Sequence, residues 1–160
     1  MEIIELLLNS FYMSENKNSH EDAERSRLEH WARENRPFHE EKQKNVTSSL
    51  RNWFAFDTGD GVITHGVNTC VAIVGTEPGF IGHIAADRKI PDAEFRSVVF
   101  ELIKSGVKTV YIFGMNDDLF ADVHDYLKKN GFIIESHRNY DQSSSFTVQV
   151  KNGKINYFNK

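Results

Sequence analysis

Residues 14–50 are polar and charged, and within them only Leu28, Trp31 and Ala32 recur at helical spacing. That narrow stripe predicts a surface helix across residues 21–35, ending before Pro37. Residues 38–50 carry no periodicity and read as a linker or loosely held segment. From Trp53 the pattern changes. Residues 53–56 and 62–64 are apolar and flank Asp57-Thr-Gly-Asp-Gly61, which predicts two short strands joined by a glycine-bearing turn. Residues 70–74 and 80–85 form a second such pair around Thr76-Glu-Pro-Gly79.

Pro91 marks a helix start, and Phe95, Val98, Val99, Leu102 and Ile103 then follow the i, i+3, i+4, i+7, i+8 pattern of an amphipathic helix that Gly106 ends. Residues 108–113 read as a strand closed by Gly114. Asn116 is placed to cap a second helix, with Phe120, Val123 and Leu127 inward and Asn130-Gly131 as its stop. Residues 132–135, 145–150 and 155–158 supply three more strands, the last two joined by the hairpin signal Lys151-Asn-Gly-Lys154. No repeat recurs at a fixed period. Antiparallel strands, then alternating strands and helices, then a terminal hairpin predict a layered α+β domain at residues 51–160, preceded by a helical, polar extension at 1–50.

Composition narrows the function without naming it. At 160 residues the chain is long enough for one core, and 39% hydrophobic with 26% charged residues is ordinary for a globular protein. A formal net charge of −4 argues against nucleic acid or an anionic membrane as partner. The apolar start, Met-Glu-Ile-Ile-Glu-Leu-Leu-Leu-Asn, is too short to span a bilayer and lacks a basic leader. A soluble protein is therefore expected, with a secretion route that uses no cleaved signal left open.

The candidate chemistry centres on Cys70, the single cysteine, which cannot form an internal disulfide. Free cysteine is commonly a buried filler. Here, however, Gly66 leaves room for sharp backbone geometry ahead of Cys70, and Gly82 directly precedes His83. If residues 70–74 and 80–85 pair as a hairpin, Cys70 and His83 become neighbours, which suits a thiol nucleophile with an imidazole base. Backbone N–H groups near Asn68, Thr69 and Cys70 are the candidates for holding an oxyanion. Thr64 is the favoured group to orient the imidazole, with Asn68, Thr69, Glu77 and Asp87 as competitors. His65 and Gly82 are candidate walls of the site. A zinc set of Cys70, His65 and His83 has the wrong spacing for a structural finger, so neither a metal nor another cofactor is expected. His20, His30, His39 and His124 read as surface residues, and His137 as an exposed loop residue or an edge of the site mouth.

Thr64-x-x-Gly-x-x-Thr-Cys70-Val-Ala-Ile-Val, with a return to Gly82-His83, resembles the bacterial chemoreceptor glutamine deamidases. The likeness continues through Val110-Tyr-Ile-Phe-Gly114, Leu127-Lys-Lys-Asn-Gly-Phe-Ile-Ile-Glu135 and Ser145-Phe-Thr-Val-Gln-Val-Lys-Asn-Gly153, and covers roughly residues 60–158. It implies an α/β/β sandwich of the CheD-like deamidase type, with Cys70 as nucleophile, His83 as general base and Thr64 as its orienting partner. The same Cys-His architecture occurs in toxins and injected effectors that deamidate host proteins. Asn68-Thr69-Cys70 stands where the family usually has Gly-Ser-Cys, and Tyr140-Asp-Gln-Ser-Ser-Ser145 replaces its late glycine-rich stretch. The implied partner is a protein bearing an accessible glutamine. Two other classes stay open, a non-catalytic binding module of the same fold and another thiol amidase or protease.

Overall fold

The structure is a computed structural model that describes residues 42–115, 117–140 and 143–159. In chain order the elements are β1 (Lys44–Val46), β2 (Phe54–Phe56), β3 (Val62–Val67), β4 (Val71–Thr76), β5 (Gly79–Ile84), α1 (Ala93–Lys104), β6 (Thr109–Gly114), α2 (Asp117–Lys129), β7 (Ile133–Arg138), β8 (Phe146–Lys151) and β9 (Lys154–Asn159). The unit that carries all of them begins at Gln43. The helix expected over residues 21–35, with His20, His30 and His39, lies outside the described residues, as does the capping role expected of Asn116.

Local chemistry accounts for the helices. Asp92 caps α1 by accepting the Phe95 N–H at 2.8 Å, so Pro91 precedes the cap instead of opening the first turn. Gly106 takes φ +80°, which lets the Val107 N–H reach back to the Leu102 carbonyl at 3.1 Å. Gly131, at φ +92°, ends α2 the same way, with the Phe132 N–H on the Leu127 carbonyl at 3.2 Å. Phe95, Val99 and Leu102 of α1 are buried, while Ile103, expected inward, is 49% exposed. Leu119, Phe120, Val123 and Leu127 are the buried stripe of α2.

The strands form two sheets, ordered β1-β3-β8-β9 and β2-β5-β4-β6-β7. β1 runs parallel to β3 and β7 parallel to β6, and the other pairings are antiparallel. The segment between β2 and β3 is therefore no hairpin turn. It carries the chain from one sheet to the other, with Asp57 Oδ1 accepting the Gly59 and Gly61 N–H groups at 2.8 and 2.9 Å. The two hairpins expected from sequence are present: Thr76 pairs with Gly79, and Lys151 with Lys154 around Asn152 (φ +51°) and Gly153 (φ +73°).

Two apolar clusters lie on opposite faces of the five-stranded sheet. Trp53, Ile73, Phe80 and Ile84 pack with the buried stripes of α1 and α2. Ala72, Val74, Ile81 and Phe113 pack with Val46, Val62, Val67, Phe146, Val148 and Val150 of the four-stranded sheet. The described residues thus form a mixed α+β fold of two sheets and two helices, with the helices outside the larger sheet. β1 lies in a stretch that lacks periodicity; one buried side chain, Val46, and a parallel ladder to β3 are enough to fix it. Among the described residues no helix is long and apolar enough to cross a membrane.

Candidate active site

His83 sits on β5 opposite Ala72 of β4. Since Ala72 and Ile81 both face the smaller sheet, the alternation of β5 turns the imidazole into the layer between the sheets, where it is 4% exposed. Thr64 of β3 reaches the same layer from the other side and is fully buried. Its Oγ1 lies 2.6 Å from His83 Nδ1 and 2.8 Å from the Val46 carbonyl oxygen. These contacts assign the protons. A carbonyl only accepts, so the single hydroxyl hydrogen of Thr64 goes to Val46, and Nδ1–H must donate to Oγ1. Nε2 is left with its lone pair, the form a general base needs. It is buried and has no hydrogen-bond partner. Burial lowers the His83 pKa from 6.5 to about 4, so the ring is neutral at pH 7.

Cys70 stands one residue before β4 and is partly buried. The paired register begins at Val71↔Ile84; carrying its alternation back one residue sets Cys70 on the Ala72 face, diagonal to His83 and two residue pairs along the ladder. No hydrogen bond joins the sulfur to Nε2. The thiol contacts another set of groups: the Ala86 N–H and the Thr69 hydroxyl hydrogen-bond to it, and the Asp87 carboxylate acts on it through space. Burial raises the thiol pKa and Asp87 adds to the rise, while the two hydrogen bonds oppose it, and the net direction is upward. At rest both the thiol and the imidazole are thus neutral and do not form an ion pair.

The remaining candidates separate. The Asn68 N–H is committed to the Gly66 carbonyl at 3.0 Å, so it is not free for an oxyanion. Thr69 hydrogen-bonds the sulfur through its side chain. His65 follows Thr64 and points to the opposite face of its sheet, with Nδ1 3.3 Å from Thr147 Oγ1, so it does not wall the site. Gly82 also belongs elsewhere. It faces the helix side, where an added Cβ would come within 2.9 Å of Ile73 and 3.2 Å of Trp53, so close packing explains it. Glu77 lies exposed at the far tip of the β4–β5 hairpin and cannot orient the imidazole. His137 is a strand residue, stacked on Phe113 with centroids 4.6 Å apart. Among the described residues no group of three His, Cys, Asp or Glu could hold a metal ion.

Two participants have no sequence signal. Val46 contributes only a carbonyl and Ala86 only an N–H, and backbone groups become visible only when their strands and turns are placed. No family model, curated protein or solved structure matches the chain.

Proposed function

We propose that the protein is a protein-glutamine deamidase that converts a substrate glutamine to glutamate through Cys70, His83 and Thr64. The observation that carries this reading is the Val46–Thr64–His83 chain of hydrogen bonds, which holds the imidazole in one tautomer with Nε2 as acceptor. An inert core histidine has no need of a fixed, unpartnered Nε2. The helix/sheet/sheet layering around it accords with the CheD-like sandwich that the sequence resemblance implies.

Both resting groups are neutral, so the nucleophile forms during attack. His83 Nε2 takes the Cys70 proton as sulfur adds to the carboxamide carbon. The imidazolium returns that proton to the nitrogen, which leaves as ammonia, and a thioester remains. His83 then takes a proton from water as its oxygen adds to the thioester, and gives it to the departing sulfur. Catalytic hydrogen bonds in free enzymes are often long and tighten only with substrate, which suits the absence of an Sγ–Nε2 bond at rest. The proposed setting is the bacterial cytoplasm or a host cell.

The test is ammonia release together with intact mass and peptide mapping of candidate proteins, chemoreceptor signalling domains first, after exposure to wild type and Cys70→Ala. A gain of about 1 Da at one glutamine, with wild type only, is the expected result. Cleaved peptides in place of that gain would make it a protease. The raised thiol pKa favours a second reading, a binding module with an inert thiol. Absence of any mass change or ammonia release with wild type, together with partner binding that Cys70→Ala leaves unchanged, would establish it.

A further inference from the structure

One side chain beyond the trio is held more firmly than packing requires. Arg88 closes the turn of residues 85–88, its N–H donating to the Ala85 carbonyl at 3.1 Å. Its side chain is 8% exposed and lies over the Trp53 ring, 4.3 Å from the centroid. Nε and Nη2 donate to the two oxygens of Asp92, each at 2.8 Å. Nη1 is buried with no hydrogen-bond partner. Both anchors are fixed parts of the scaffold. Asp92 caps α1, and the Trp53 carbonyl accepts the His83 backbone N–H at 2.6 Å.

For stability alone, an apolar side chain against Trp53 would do better, because a buried guanidinium with an unsatisfied nitrogen is costly. What arginine adds is direction, through a planar fork that fixes two partners at a set angle. Ala86 and Asp87 lie between the ends of the turn that it closes, and the Ala86 N–H donates to the Cys70 sulfur.

We propose that Arg88 is a positioning residue for the Cys70 thiol: clamped between Trp53 and Asp92, it holds the 85–88 turn so that the Ala86 N–H stays aimed at the sulfur and supports the thiolate as it forms. This rests on the reading of Cys70 as nucleophile. The other groups that act on the sulfur are the Thr69 hydroxyl and the Asp87 carboxylate, with neutral His83 on the neighbouring strand. Without the clamp the turn loses its aim while these groups remain.

The experiment follows alkylation of Cys70 by iodoacetamide against pH, read by intact mass, for the full chain and for Arg88→Ala and Asp92→Asn. Cys70 is the single cysteine, so the signal reports one site. Asparagine still caps α1 but loses the charged fork, which keeps the test decisive if Arg88→Ala unfolds. The expected result is a midpoint higher by about one pH unit in each folded variant, about 10-fold slower alkylation at pH 8, and unchanged circular dichroism. A midpoint that stays in place or falls in Asp92→Asn overturns the proposal. Wild type without deamidase activity, but with the midpoint shifted in the variants, would refute the deamidase reading and keep the clamp. An active wild type with unshifted variants would do the reverse.

Discussion

The two faces of β5 are built from alternate residues and obey different rules. On the helix side, Phe80, Gly82 and Ile84 meet Trp53, Ile73 and α1 in an apolar layer so close that one position must be glycine. On the sheet side, Ile81 is followed by His83, and the apolar layer is broken by an imidazole hydrogen-bonded to Thr64. A leucine at position 83 would fill the space without a buried polar nitrogen. The first face is optimised for packing. The second gives up stability at one point, and that point presents a lone pair on the face where Cys70 stands.

The largest expected effect tests whether that point is catalytic. Thr64→Val keeps the shape but removes the oxygen that receives Nδ1–H. Ammonia release should fall by about 10²–10⁴-fold, and Thr64→Ser should retain most of it. Equal rates for Thr64→Val and wild type would reduce the inner face to a packing surface like the outer one.

Stability against pH should expose the same asymmetry. The His83 pKa is about 4 in the folded chain and near 6.5 when unfolded. Between those values the unfolded chain binds a proton that the folded chain refuses. Stability from this source is therefore complete above pH 6.5 and lost as pH falls to about 4. The change is about 3 kcal/mol by linkage. Urea unfolding at both pH values, compared with His83→Leu, measures it, and the variant should show a flatter profile.

Gly82→Ala probes the other face. Its Cβ would crowd Ile73 and Trp53, for a loss of about 1–3 kcal/mol in urea unfolding. The pH midpoint of Cys70 alkylation should not move; a moved midpoint would show that the faces are coupled. The smallest effect is expected from Asp87→Asn, which removes a charge that disfavours the thiolate. Its alkylation midpoint should fall by roughly a few tenths of a pH unit, since Asp87 is exposed and screened by solvent.

Much of this fold is legible in the chain because its cues are local. Gly106 and Gly131 end helices through a backbone conformation that glycine favours, and Lys151-Asn-Gly-Lys154 specifies its own turn. Partner choice is not local. A period of two marks residues 53–56 and 62–64 as strands but does not say that they belong to different sheets. β1 stayed hidden because three residues with one buried side chain carry no period. The site divides in the same way. Thr64 and His83 were readable as a pair through a motif, and their hydrogen bond is present. The faces of His65 and Gly82 were not readable, because adjacent residues on a strand point in opposite directions and proximity in sequence misleads.

The protonated resting thiol has a consequence for redox chemistry. Peroxide and other oxidants attack thiolate far faster than thiol, and burial, by pushing the Cys70 pKa up, keeps the sulfur protonated near neutral pH. Cys70 is half-buried as well, so its oxidation to sulfenic acid should be slow. Under the proposed function, a nucleophile made only when substrate arrives would let activity persist in an oxidative burst that silences enzymes with a standing thiolate.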